Sequence, residues 1–159
     1  MLRDPANLVC RRALWYWAAR AVLLWLAAGA ALGLVLAGAG ALHGTGLLWL
    51  AAAGLLAVAH AGVMPWWRYR VHRWETTSTA VYTRTGWLIQ ERRIAPLSRI
   101  QTVDTERGPL EQLFRLANVT VTTASAAGPI RIHGLDPQVA DELAADLTAA
   151  TAAGREDAT

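Results

Sequence analysis

Lysine is absent from the sequence, and cysteine occurs once, at Cys10. All 15 basic side chains are therefore arginines, and no disulfide can form within the chain. Residues 1–69 carry five arginines against one acid, whereas residues 70–150 carry nine arginines and nine acids. A nucleic-acid-binding domain needs a basic face, so the near-neutral second part argues against a nucleic acid as partner.

Recognisable catalytic motifs are also missing. The four histidines include no pair spaced four residues apart around a glutamate, as a zinc-protease helix requires. There is no GxSxG elbow, no phosphate-binding loop and no dinucleotide fingerprint. Asp104 and Glu106 share a strand face, but the arginines nearby favour a solvated surface. The sequence thus predicts no catalytic residues, no metal site, no cofactor and no enzyme activity.

Two long runs contain no charged side chain. As helices, residues 21–42 would span about 33 Å and residues 47–63 about 25 Å. A polar break at residues 43–46 separates them, and residues 64–67 can extend the second run into the membrane interface. We predict two antiparallel transmembrane helices, because a signal peptide has a shorter apolar region and so small a soluble chain could not enclose both helices.

The arginines beside these runs predict the orientation. Four precede the first run and three follow the second, whereas the connecting loop has none. By the positive-inside rule, both termini are cytoplasmic in a cell-membrane protein with two spans. Six aromatic residues fit an interfacial belt on the same side: Trp15, Tyr16, Trp17, Trp66, Trp67 and Tyr69. Two questions stay open: whether residues 7–20 lie on the membrane or extend the first helix, and whether His60 holds a ligand or proton or simply faces the interface or the partner helix.

Small residues recur every four positions in both runs. They are Gly29 and Gly33 in the first run and Ala53, Ala57 and Ala61 in the second. Such spacing lets helix backbones approach closely. It is typical of packing within one hairpin and also of association between copies, so the oligomeric state is left open.

After residue 67 the sequence changes to Thr-rich and Val-rich segments typical of β-strands. We predict strands at residues 73–79, 80–85, 88–95, 100–106, 119–123 and 130–132. Apolar spacing predicts a short helix over residues 109–116. A last helix begins at Pro137, with Asp136 as its N-cap.

Three segments of this part resemble a known family: RIQTV at residues 99–103, GPLEQLFRLANVTVTTAS at 108–125, and IRIHGL at 130–135. With the two apolar runs they are similar to the YdbS-like family of bacterial membrane-anchored pleckstrin-homology (PH) domains, over residues 10–150. The resemblance implies two nearly orthogonal antiparallel sheets closed by a C-terminal helix. It implies no activity, because fold does not give function. Arg115 stands where the family pattern has glycine, and we expect it to end its helix differently.

The predicted fold class is a membrane α-helical hairpin followed by an α+β, mainly β, PH-like domain. We predict four parts: a cytoplasmic or interfacial segment at 1–20, the transmembrane hairpin at 21–67, the PH-like domain at 68–150, and a disordered tail at 151–159. Each boundary follows a change in hydropathy or in periodicity.

The leading functional hypothesis is a non-enzymatic scaffold or interaction module at the cytoplasmic membrane face. It would assemble with another membrane protein or with itself, because a strand edge is a template for pairing. The alternative is a module that binds anionic lipid head groups through arginines at the leaflet. The candidate membrane-surface and lipid contacts are Arg11, Arg12, Arg20, Arg68, Arg70, Arg73, Arg92 and Arg93. The same arginines can instead act only as determinants of topology.

Overall fold

The structure is a computed structural model and describes residues 4–125 and 128–156. The chain divides into two compact units. Residues 14–66 form one, here called the helical unit. The other, the sheet unit, combines the N-terminal segment up to Ala13 with the chain from Trp67 onward.

The helical unit contains most of two long helices. α1 spans Arg12–Gly38 and α2 spans Thr45–Val71, and both are long and apolar enough to cross a membrane. With 27 residues each, they are about 40 Å long, which exceeds the hydrocarbon core of a bilayer. α1 begins at Arg12, so residues 12–20 continue the first helix, whereas Asn7 and Leu8 form a strand.

A glycine cap ends α1. Gly40 adopts a φ of +65°, and backbone hydrogen bonds from Gly40 and Ala41 back into the helix satisfy its last carbonyls. Glycine suits this position because it has no Cβ to oppose a positive φ. The connection between the helices covers residues 39–44, and it begins earlier than the predicted break at 43–46 because the cap has already ended the helix.

The sheet unit contains two antiparallel sheets. The first consists of β1 (Asn7–Leu8), β2 (Arg73–Thr76), β3 (Ala80–Gly86) and β4 (Gln90–Pro96), and the second of β5 (Ile100–Glu106), β6 (Ala117–Thr123) and β7 (Ile130–Leu135). In each sheet the strands neighbour one another in chain order. A short helix, α3 (Pro109–Leu113), precedes β6, and a long one, α4 (Pro137–Glu156), follows β7. Two antiparallel sheets followed by a C-terminal helix confirm the predicted fold class.

β1 precedes both long helices in the chain, yet it pairs with β2, which follows them. Asn7 lies opposite Trp74, and Leu8 lies opposite Arg73. Two neighbouring strands of one sheet are therefore separated in the sequence by the whole helical hairpin. The predicted N-terminal segment at residues 1–20 thus contains β1 and the first turns of α1. A two-residue strand leaves no periodicity from which the sequence could predict it.

The hydrophobic core of the sheet unit draws on both sheets and on α4. Its larger buried side chains are Val81, Ile100, Val119, Val121, Ile130, Ile132, Leu135, Leu143 and Leu147. On β6, Val119 and Val121 are both fully buried, as expected of alternate residues on one strand face. α4 covers this core with Leu143 and Leu147, one turn apart on the helix.

Both helix ends in the sheet unit differ from expectation. α4 continues to Glu156 instead of losing order from Thr151, because its alanine-rich end favours helix. The last three residues of the expected tail, 157–159, lie outside the described part of the chain. Arg115 follows α3 with a φ of 52°, and the N–H of Leu116 donates to the carbonyl of Glu111 at 2.7 Å. Arg115 thus ends α3 as a glycine cap would. The expectation that it would end the helix differently was wrong.

Candidate functional site

Three arginines form a row across one face of the first sheet. Arg73, Arg84 and Arg92 lie opposite one another on β2, β3 and β4. Like charges in such positions repel. Asp4 offsets the repulsion, because its carboxylate oxygens lie 2.8 Å from guanidinium nitrogens of Arg84 and Arg92. The N-terminal segment is therefore attached to this arginine row by an acid that the sequence analysis did not single out.

Backbone bonds attach the same N-terminal segment to both sheets. The N–H of Ala6 donates to the Glu75 carboxylate of β2 at 2.9 Å. Further along, the N–H of Cys10 donates to the carbonyl of Gly134 in β7 at 2.8 Å. The segment before α1 thus bridges the first sheet and the second.

The candidate arginines near the start of α1 differ in their surroundings. Arg12 forms an ion pair with Asp136, the residue before α4. Arg20 donates a hydrogen bond of 3.0 Å to the hydroxyl of Tyr16, and its guanidinium lies 5.6 Å from that ring's centroid. Arg11 and Arg20 are exposed, whereas Arg12 is half-buried. Because their side chains are exposed, Arg11 and Arg20 can contact a membrane surface. Arg12 instead contributes to the fold through its ion pair with Asp136.

His72 is buried at the C-terminal end of α2, next to Arg68. Its Nδ1 lies 2.8 Å from the carbonyl oxygen of Arg68, and Arg68 Nε lies 3.5 Å from its Nε2. Burial lowers the pKa of His72 to about 4 and also lowers the pKa of His133. His72 is therefore neutral near pH 7, and with its proton on Nδ1 it satisfies both contacts. Burial of this kind gives no signal in the sequence.

Arg92 and Arg93 were candidates for one lipid contact, but they lie on opposite faces of β4. Adjacent residues of a strand point to opposite sides. Arg92 belongs to the arginine row, whereas Arg93 lies opposite Thr83 in register. Arg93 pairs with Glu91 at 2.5 Å and donates to the carbonyl of Pro129 at 3.0 Å. The two guanidinium groups therefore cannot act together as one head-group clamp.

β5 is an edge strand of the second sheet, and α4 packs against it. In residues 4–125 and 128–156, it pairs with β6 on one side and with no strand on the other. Five of its seven residues are exposed, among them Asp104 and Glu106. Unpaired backbone groups along such an edge can accept an added strand. Across the same described ranges, no three His, Cys, Asp or Glu side chains are grouped so as to hold a metal ion.

The turn between β3 and β4 carries an exposed apolar tip, formed by residues 87–89. The sequence predicts that Leu88 and Ile89 belong to the returning strand, but β4 begins only at Gln90. Both side chains lie in the turn and face solvent in the structure. An apolar run read as a strand was in fact a turn, because apolar residues alone do not distinguish the two.

Within the helical unit, α1 and α2 do not approach closely through their small residues. A Cβ placed at Gly29 or at Gly33 would meet no atom within 4 Å. A groove of about 550 Å³ lies between the helices, lined by small and apolar side chains of both. The hypothesis that the small residues serve close packing within the hairpin is therefore not supported at these two glycines.

Comparisons with known proteins agree with this architecture. The family model for the bacterial PH domain matches residues 14–151. The transmembrane protein YdbS of Bacillus subtilis (strain 168) is 36% identical over 77 residues, which cover 48% of this chain and 44% of that protein. The chain thus matches less than half the length of this relative, and no solved structure matches it. Since the family model covers most of the chain, and the fold has the two sheets and C-terminal helix that the resemblance implied, the chain belongs to the bacterial PH domain family.

Proposed function

We propose that the chain is a membrane-anchored, non-enzymatic scaffold whose PH domain assembles with another membrane protein or with a second copy of itself. The observation that carries this proposal is that one side of β5 pairs with no strand in the described part of the chain. A seven-residue edge strand with five exposed residues offers backbone donors and acceptors to an extended partner segment. Pairing of that kind needs no catalytic group.

The side chains of the β5 edge favour a particular partner. Asp104 and Glu106 are exposed and give the edge a negative charge, and Thr102 adds a hydroxyl. An extended segment with basic or polar side chains would match these groups, since complementary charge raises the rate and selectivity of association. Such segments flank the spans of many membrane proteins on the cytoplasmic side.

The arginines around the helices support a cytoplasmic location for the PH domain. Arg11, Arg20 and Arg70 are exposed near the ends of α1 and α2 that adjoin the sheet unit in the chain. The connection at residues 39–44 contains no arginine. By the positive-inside rule, both termini lie in the cytoplasm and this connection lies outside.

Photocrosslinking in native membranes tests the scaffold. A photoreactive residue replaces Thr102 on the β5 edge of the full-length chain, and a matched variant carries it at Ser78, an exposed position in the turn between β2 and β3. We expect a discrete protein adduct from position 102 and none from position 78. The double substitution Asp104→Lys and Glu106→Lys should reduce the adduct several-fold. Adducts with lipid alone, or equal adducts from both positions, would reject the scaffold.

Binding of anionic lipid head groups is a second candidate function. Its support is the exposure of Arg11, Arg20 and Arg70, each of which can contribute about 1 kcal/mol near an anionic surface. In reconstituted vesicles, spin-labelled phosphatidylglycerol would then be enriched around the protein relative to spin-labelled phosphatidylcholine. Replacing the three arginines with glutamine would remove the enrichment, and enrichment that persists would exclude these residues as the contacts.

A further inference from the structure

The tip at residues 87–89 presents two apolar side chains to the surroundings of the protein. Leu88 is 78% exposed and Ile89 is 85% exposed, the largest values among the exposed large apolar residues in the described chain. Leu34, on a helix that spans the membrane, is 75% exposed. Leu88 and Ile89 are adjacent, so together they form one apolar patch, and such patches mark surfaces that another phase or molecule covers.

The backbone holds these two side chains in place. Gly86 and Gln90 form the last pair of the β3–β4 ladder, so only three residues close the turn. Gly86 has a φ of +108°, and a Cβ at this position would lie 1.9 Å from the carbonyl oxygen of Ile89. The turn is therefore tight and specified by glycine, and the exposure of Leu88 and Ile89 follows from its geometry.

A hydrogen bond connects the tip to Trp67, the first residue of the sheet unit after the helical unit. The indole Nε1 of Trp67 donates to the carbonyl oxygen of Trp87 at 3.1 Å. Trp67 is the last residue before Arg68, at the end of the uncharged run in α2. A tryptophan at this point prefers the membrane interface, because its ring is apolar and its N–H is polar. Leu88 directly follows Trp87, and consecutive Cα atoms lie about 3.8 Å apart. Leu88 therefore lies close to the depth expected of Trp67.

We propose that the tip inserts Leu88 and Ile89 into the lipid head-group boundary of the same membrane that α1 and α2 cross. The interfacial layer on each side of a bilayer is about 5–8 Å thick, which these side chains can reach from the depth of Trp67. Residues 85–90 contain no charged side chain, so insertion removes no charge from water. The tip thus forms a third membrane contact, which depends on apolar surface and not on head-group charge.

This inference goes beyond the proposed scaffold and does not depend on the partner at β5. Lipid is the expected occupant, because the tip bonds to Trp67 at the end of the apolar helix α2. A protein that covered Leu88 and Ile89 would have to do so at the level of the interface. The experiment below separates the two cases.

Depth-dependent quenching tests the tip in the full-length protein. Cys10 is the single cysteine, so Cys10→Ser provides a background for Leu88→Cys, Ile89→Cys and the control Leu113→Cys. Leu113 is 75% exposed and therefore matches Leu88 in size and accessibility, but it lies on α3. Each variant is labelled with a polarity-sensitive fluorophore and reconstituted into phosphatidylcholine vesicles, with and without one quarter phosphatidylglycerol.

We expect lipids with a spin label near the head group to quench positions 88 and 89 at least twofold more than position 113. Aqueous iodide should quench them correspondingly less, and the result should be the same in both vesicle compositions. Trp67→Phe, which removes the bond to Trp87, should weaken lipid quenching at position 88 and leave position 113 unchanged. Equal lipid quenching at 88 and 113, or quenching only in the anionic vesicles, would overturn the proposal. Protection of position 88 from both quenchers would assign the tip to a protein contact instead.

Discussion

Trp25 and His60 connect the two apolar helices. The indole N–H of Trp25 donates to Nδ1 of His60 at 3.1 Å, and the rings meet edge to face with their centroids 6.2 Å apart. Of the interpretations left open for His60, the structure favours the one in which it faces the partner helix. Within a bilayer, the alternative to such an interhelical bond is a polar group left unsatisfied in hydrocarbon.

Removing the bond between Trp25 and His60 should destabilise the hairpin modestly. We expect a coupling energy of about 0.6 kcal/mol and at most about 1.7 kcal/mol, the range for hydrogen bonds between membrane helices. A double-mutant cycle with Trp25→Phe and His60→Leu, followed by unfolding in mixed detergent, measures it. Trp49→Phe is the matched control, since Trp49 is 67% exposed on α2. A coupling energy of zero would mean that the bond is not formed in the membrane.

Asp4→Asn should loosen the N-terminal segment from the arginine row. The substitution removes the charge that bridges Arg84 and Arg92 and leaves their repulsion uncompensated. These are surface ion pairs, so we expect a loss of at most about 1 kcal/mol, and less at high salt. Faster hydrogen exchange at the amides of β1 is the readout. Asp146→Asn on α4 controls for net charge, and an equal effect from it would rule out a specific role for Asp4.

Arg115→Gly should stabilise the domain by about 1 kcal/mol. Arg115 adopts a left-handed φ of 52°, which a residue with a Cβ adopts at a cost of about that size. Chemical denaturation of both proteins provides the comparison. Arg131→Gly in β7 is expected to have the opposite sign, because glycine weakens a strand. Unchanged or lower stability in Arg115→Gly would show that the arginine side chain offsets the backbone strain.

Acidification should destabilise the sheet unit through His72. Its pKa is lowered from 6.5 to about 4 in the folded state. Between these values the unfolded chain binds a proton that the folded chain does not, so the free energy of unfolding falls as the pH drops from 6.5 to 4. The loss that His72 alone contributes is about 3 kcal/mol, and it is absent above pH 7.

Denaturation at several pH values checks this dependence. His72→Gln should reduce the slope of the profile between pH 6.5 and pH 4, and the slope that remains belongs to groups such as His133, whose pKa is also lowered by burial. The substitution also lowers stability throughout by removing a packed ring. The interpretation fails if the His72 variant keeps the slope of the parent protein.

The parts of the fold with strong periodicity could be predicted from sequence. Alternating Val and Thr marked β6, and the two uncharged runs marked α1 and α2. β1 could not be predicted, because two residues carry no period and their pairing with β2 depends on contacts across the whole hairpin. Leu88 and Ile89 were misplaced for a related reason: their apolar character suits a strand, but the positive φ of Gly86 had already turned the chain.

Several residues of the candidate site could be predicted from the sequence, but their positions relative to one another could not. The sequence named Arg92 and Arg93 as neighbours, and strand geometry separates them. Asp4 escaped notice because its partners lie about 80 residues away in the chain, on β3 and β4. His72 escaped notice because its significance depends on burial beside Arg68, which only tertiary structure provides.

The insertion of the hairpin between β1 and β2 imposes an order on biosynthesis. Leu8 leaves the ribosome first, yet its partner Arg73 follows 65 positions later. At about 5–20 residues per second, β1 waits about 3–13 s before β2 has been made. During that interval both apolar helices are synthesised and become available for insertion into the membrane. The first sheet can therefore be completed only after the hairpin has been synthesised. Pairing of β1 with β2 occurs only in chains that already contain both helices.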